Sequence, residues 1–182
     1  KRQMDTTSEN PESILGYSLS KSPKLKDFMG QLDPEMSLDW NLQSFWGLPA
    51  LRENVLAQAG ISTTLTPDNV LITAGAAEAN YLVLRQLLAE GDEIVLEKPG
   101  WPQAEVMAKA MGLERRYVER QEADNWSLPL AQLETAITAK TKLVFITNPN
   151  NPTGALASDE EMQKLADICA RNGTWLLVDE VY

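Results

Sequence analysis

Lys142-Leu143-Val144-Phe145-Ile146-Thr147-Asn148-Pro149-Asn150-Asn151-Pro152-Thr153-Gly154 is the stretch on which the fold turns. Its first half is a continuous apolar run, the mark of a strand buried on both faces. Its second half is a tight polar turn of asparagine, proline and glycine. Just downstream, Ser158-Asp159-Glu160-Glu161 has capping-box form, a serine followed three residues later by a glutamate. It opens a helix that buries Met162, Leu165, Ala166 and Cys169 and stops at Gly173. A second apolar run, Thr174–Val178, then leads into Asp179-Glu180-Val181-Tyr182. Strand, crossover helix and strand at this spacing make a parallel unit.

The same rhythm extends upstream. Leu51, Val55, Leu56 and Ala59 recur at helical spacing before Gly60. Val70–Thr73 reads as a short strand, Ala74–Ala77 as a small-residue turn and Glu78–Glu90 as a helix. Glu93–Glu97 is the next strand, followed by the loop Pro99-Gly100-Trp101-Pro102. A helix with Val106, Met107, Ala110 and Met111 on one face comes next. A strand over Arg115–Glu119 and a helix over Pro129–Thr138 complete the series. The alternation predicts an α/β fold with a mostly parallel sheet covered on both faces. Residues 1–40 are polar, contain Pro11, Pro23 and Pro34, and read as an arm with one short helix.

Composition narrows the chemistry. Lys and Arg number 16 against 26 Asp and Glu, a formal net charge of -10. An acidic chain without a basic run is ill suited to nucleic-acid phosphates. There is no histidine, which removes Ser-His-Asp and Cys-His catalysis and His-ligated zinc from this segment, and no metal is expected. The lone Cys169 cannot form an internal disulfide, which fits a reducing, cytoplasmic setting. No apolar run is long enough to span a bilayer, and no signal-peptide pattern opens the chain. A chain that stops one step past a core strand reads as the N-terminal portion of a longer protein.

Five features carry candidate chemistry. Gly75, Ala76 and Ala77 sit where free backbone N–H groups and the helix dipole favour an anion. Glu78 in the first helical turn should point away from such an anion. Trp101 can offer its face to a planar ligand. Asn151 carries an amide donor in a proline-stiffened turn. Asp179, after four apolar residues, is costly to desolvate unless paired, and it suits a protonated ring nitrogen. Tyr182 brings a phenol three residues later. Taken singly, each has a purely structural reading: a tight turn, a packed loop tryptophan, ordinary turn chemistry, a cap or ion pair, a core-edge tyrosine. Their order at successive strand ends favours one shared site.

The runs Ile72-Thr73-Ala74-Gly75-Ala76-Ala77-Glu78-Ala79, Pro99-Gly100-Trp101, Asn148 through Gly154 and Asp179-Glu180-Val181-Tyr182 resemble the class I/II aminotransferases, pyridoxal-phosphate enzymes of fold type I. Trp46-Gly47-Leu48-Pro49-Ala50-Leu51-Arg52 is similar to that family's Gly-x-x-x-Leu-Arg element. The resemblance covers residues 45–182. It implies a three-layer sandwich around a mostly parallel sheet, the aminotransferase large domain, incomplete in this chain. Residues 1–44 would be an N-terminal arm or small-domain segment, and 45–182 the first part of the cofactor-binding large domain.

The resemblance also implies roles. Gly75, Ala76 and Ala77 would hold the phosphate of pyridoxal 5'-phosphate, and Trp101 would stack on its ring. Asn151 and Tyr182 would bond the phenolic oxygen. Asp179 would pair with the ring nitrogen, which makes Asp179 and Tyr182 the catalytic candidates. Cis bonds are implied before Pro99 and Pro152. The Schiff-base lysine and the carboxylate-binding arginine lie on later sequence, and none of Lys98, Lys109, Lys140, Lys142 or Lys164 sits in the lysine motif, so the chain is expected to be inactive alone. At the position of a tyrosine often lent across the dimer stands Leu42, so that contact is lost or supplied by something else, Asn41 and Gln43 being the candidates. The family sheet would insert its last strands between the first strand and the fourth, leaving Val70–Thr73 without a neighbour here.

The expected activity is amino transfer between an amino acid and a keto acid through a Schiff-base mechanism, in a cytoplasmic homodimer without nucleic-acid or membrane partners. Two alternatives stay open. One is a lyase, cyclase or decarboxylase on the same fold; the other is an aminotransferase-like effector domain of a regulator.

Overall fold

The computed structural model describes residues 22–35, 44–60 and 64–182. The chain divides into two units, Lys1–Leu42 and Gln43–Tyr182. The described part of the first holds one short helix, α1 (Lys26–Met29), with no buried residue. The second contains α2 (Pro49–Ala59), α3 (Ala76–Leu87), β1 (Glu93–Lys98), α4 (Pro102–Ala110), β2 (Glu114–Glu119), α5 (Leu130–Ala136), β3 (Thr141–Thr147), α6 (Asp159–Asn172) and β4 (Trp175–Asp179). The positions proposed for the lent tyrosine, Asn41 to Gln43, lie outside the described residues.

The four strands form one parallel sheet in the order β2-β1-β3-β4. Side-chain alternation explains why both faces are covered. Ile94, Leu96, Leu143 and Phe145 point to one face, where Leu84 of α3 and Ala104 and Ala108 of α4 pack on them. Val95, Val144 and Ile146 point to the other, against Leu133 of α5 and Leu165, Ile168 and Cys169 of α6. The result is helix, sheet and helix in three layers. Leu143, Val144 and Ile146 are fully buried. Each stabilises the fold by about 1.5–3 kcal/mol relative to exposure. Burial also pushes the Cys169 thiol up to about 11, so it stays protonated and inert.

The strand order sets the site. The chain leaves β1 for β2 on one side, then returns past β1 to β3 on the other. The loops after β1 and β3 therefore diverge, and the crevice between them is where open parallel sheets bind ligands.

Four expectations need correction. Val70–Thr73 is extended but pairs with none of the four strands. Its Ile72 N–H donates instead to the Trp46 carbonyl at 2.9 Å. An isolated stretch cannot satisfy a ladder without a neighbour. Next, β3 is flanked by β1 and β4, so no inserted strand can lie beside it. In α2 the buried residues are Arg52 and Leu56, while Leu51 and Val55 are exposed. The Arg52 guanidinium turns inward to the Pro67 carbonyl (Nε, 2.7 Å) and to Asp68 at 2.9 Å. In α4 the fully buried residues are Ala104 and Ala108; Met107 and, just past the helix, Met111 pack against the same core as expected, while Val106 and Ala110 are exposed. Pro102 starts that helix and sets its phase.

Candidate active site

Gly75 caps α3 with φ +87°, a backbone conformation that glycine adopts at little cost. The first-turn N–H groups that follow have no intrahelical acceptor. They open onto a cleft of about 290 Å³ lined by Gly75, Ala76 and Ala77. The same cleft is lined by Trp101 from the loop after β1, Asn151 from the turn after β3, Asp179 at the end of β4, and Tyr182. All seven residues singled out in the sequence thus meet at one cavity. Thr147 and Val181 complete its lining. None of the five lysines considered above lines it.

Each side chain is held by its element. Trp101 precedes α4, with Pro102 at the first helical position, and is 43% exposed. The bonds before Pro99, Pro149 and Pro152 are all cis. Asn151 Nδ2 lies 3.3 Å from the Tyr182 hydroxyl, so an amide and a phenol converge on one point of the cleft wall. Glu78 accepts the Ala74 N–H at 2.6 Å and does not line the cleft.

Asp179 is the centre. It is 6% exposed, yet among the described residues it pairs with no lysine or arginine. Asn80 Nδ2 donates to its Oδ2 at 2.8 Å, and the Val181 N–H to its Oδ1 at 3.2 Å. Asn80 is oriented in turn. Its Nδ2 also reaches Gln103 Oε1 at 3.3 Å, and Gln103 Nε2 donates to the Ala77 carbonyl at 2.6 Å. The relay ties the start of α3, the start of α4 and the acid of β4 into one unit.

Sequence reasoning missed Asn80, Gln103 and Thr147. Asn80 left a trace: it stands four residues before Leu84 and eight before Leu88, both buried, so it is a polar residue on an apolar stripe. Gln103 left none. Thr147 closes an apolar strand and reads as its last residue. Its hydroxyl is buried without a protein partner among the described residues.

The donor set suits a flat, charged heteroaromatic ligand. It offers N–H groups for a phosphate, an indole for a ring, an amide and a phenol for an anionic oxygen, and a carboxylate for a cationic nitrogen. A parallel three-layer α/β fold with this cleft at its switch point is compatible with the fold type I pyridoxal-phosphate enzymes. The family described as aminotransferase class I and II matches residues 35–182, and the chain belongs to it.

The chain is 36% identical over 138 residues to the aspartate aminotransferase of Geobacillus stearothermophilus, covering 75% of this chain and 35% of that protein. It is 30% identical to the probable aspartate/prephenate aminotransferase of Aquifex aeolicus (strain VF5), with the same coverage. A PLP-dependent aminotransferase from Streptococcus suis superposes with a TM-score of 0.75 at 32% identity, covering 86% of this chain and 40% of that one. The chain spans about a third of the length of the curated relatives it matches. No helix among the described residues is long and apolar enough to cross a membrane.

Proposed function

We propose that the protein is a pyridoxal-phosphate-dependent aminotransferase and that 45–182 is the first part of its cofactor-binding domain. The observation that carries this is Asp179, a buried carboxylate that pairs with no lysine or arginine among the described residues, set in the cleft that Trp101, Asn151 and Tyr182 also line. A protonated ring nitrogen would give that carboxylate a charge-assisted partner beside its neutral donors. When bound, pyridoxal 5'-phosphate supplies a conjugated ring that accepts electrons from a substrate carbon.

The chain's own residues do the rest. Asp179 keeps a proton on the ring nitrogen through a charge-assisted hydrogen bond. Asn80 and the Val181 N–H hold that carboxylate in place. The Asn151 amide and Tyr182 hydroxyl hold the phenolic oxygen. Gly75, Ala76 and Ala77 hold the phosphate with backbone N–H groups. Trp101 covers one ring face and keeps water from it.

The substrates are an amino acid and a keto acid. The matched relatives include aspartate, tyrosine and nicotianamine aminotransferases, which supports the reaction class rather than one side chain. Exposed Phe45, Trp46 and Leu48 supply an apolar surface suited to a homodimer, and the single, buried cysteine suits the cytoplasm.

Asp179→Ala in the full-length enzyme tests the reading. Turnover should fall by at least ~10²-fold, the scale of losing one preorganised electrostatic contact, with the circular dichroism spectrum unchanged. Near-normal turnover would remove Asp179 from this role.

A further inference from the structure

Beside the cleft lies a buried charge that the cofactor reading leaves unused. Glu97 of β1 and Arg120, the residue after β2, form an ion pair at 2.8 Å with side chains 2% and 0% exposed. A buried pair of this kind is weak evidence for stability, since an apolar pair of similar volume often serves as well. What sets it apart is the rest of the carboxylate's company. Glu97 Oε1 accepts the Thr147 backbone N–H at 2.8 Å and the Asn150 Nδ2 at 2.9 Å. Both donors sit where β3 passes into the turn that carries Asn151.

Asn150 braces that turn from inside. Its Nδ2 faces Glu97 and the Pro99 carbonyl, the latter at 3.2 Å. Its Oδ1 therefore faces the other way and accepts the Thr153 N–H at 3.2 Å and the Thr153 hydroxyl at 2.6 Å. Asn151 is thus fixed on one side by Asn150 and spanned by its bonds to Thr153. The loop carrying Trp101 leans on the same residue. A Cβ on Gly100 would lie 2.6 Å from the Glu97 carbonyl oxygen, so only glycine permits this approach. Arg120 is anchored in turn, its N–H on the Lys98 carbonyl and its Nη1 on the Trp126 carbonyl, both at 2.8 Å.

We propose that Glu97 and Arg120 are positioning residues for the cofactor site, acting through Asn150 to fix where the Asn151 amide meets the ring oxygen. This rests on the pyridoxal-phosphate reading above. The role requires a carboxylate. Three donors, Arg120 Nε, Thr147 N and Asn150 Nδ2, converge on its two oxygens, and glutamine would set an NH₂ group against at least one of them.

Two variants of the full-length holoenzyme test it. One is Glu97→Gln. The other combines Glu97→Leu with Arg120→Met, which removes both charges and leaves neither one buried alone. The readouts are the pyridoxal-phosphate Kd and the pH midpoint of the bound cofactor's visible absorption, with Asn151→Ala as reference and thermal unfolding as the control for folding. Both variants should weaken cofactor binding about tenfold, the scale of one misplaced hydrogen bond to a charged group. Both should move the midpoint in the direction that Asn151→Ala moves it. A folded double variant with the unsubstituted protein's Kd and midpoint overturns the inference, whatever its melting temperature, and leaves the cofactor reading intact. An unsubstituted protein with no visible cofactor band overturns the cofactor reading and the inference with it.

Discussion

A buried carboxylate takes its meaning from its partners, and two such residues here differ. Asp179 is held by neutral donors and lines the cleft. Asn80→Ala should lower turnover about tenfold and stability by about 1–3 kcal/mol, because it strips the acid of its side-chain donor and leaves Gln103 Oε1 without its donor. Steady-state kinetics and urea titration read the two effects, and unchanged kinetics would show that the relay does not serve the site. Glu93, at the opposite end of the sheet, is structural. Burial raises its pKa, but hydrogen bonds from Thr141, Arg116 and Thr138, with the Arg116 charge, outweigh burial and hold it below its ordinary 4.5. A depressed carboxyl adds stability above its unfolded value, and that stability is lost as pH falls through the folded value. Glu93→Gln should therefore destabilise at neutral pH, with the deficit shrinking in acid below 4.5. A deficit that stayed constant across that range would contradict the assignment. Both residues show where sequence reading stops. The type and place of Asp179 were legible at a strand end, but its dependence on Asn80, 99 residues away in the chain, was not.

Among the elements, those with local signals were legible. The Ser158 box forms as its spacing predicts: Glu161 N donates to Ser158 Oγ at 3.3 Å, and Glu161 Oε2 accepts the Ser158 N–H at 2.8 Å. Ser158→Ala should cost about 1 kcal/mol in chemical denaturation, and a loss indistinguishable from zero would show that the cap is idle. The apolar centres of β1 (Ile94–Leu96) and β3 (Leu143–Ile146) were equally plain, because strands buried on both faces are apolar along their middles. Helix faces were harder. In α2 and α4 several apolar residues competed for the inward position, and tertiary partners decided between them: the Pro67 carbonyl claimed Arg52, and close helix–sheet packing claimed Ala104 and Ala108. Propensity and spacing cannot rank such choices, since the energy that settles them lies in contacts distant along the chain.

In the molecule as a whole, a parallel sheet gathers residues from four separate strand-to-helix turns and strand ends onto one cleft, and this is why their convergence could be expected before the structure. Each candidate stood at the carboxyl end of a predicted strand or at the start of a predicted helix, and the switch point between β1 and β3 brings those ends together. Val70–Thr73 is left without a neighbour, as the resemblance implied: among the described residues β2, β1, β3 and β4 pair only with one another, so the stretch stays extended without forming a ladder. One pyridine ring is proposed to satisfy Asp179, Trp101, the Asn151–Tyr182 pair and the start of α3 at once. A crystal structure of the full-length protein with pyridoxal 5'-phosphate tests it most directly. The ring nitrogen should lie within about 2.7–2.9 Å of an Asp179 oxygen, the ring against Trp101 and the phosphate on the N–H groups of residues 75–77. A cofactor bound elsewhere, or one whose nitrogen makes no contact with Asp179, would contradict it.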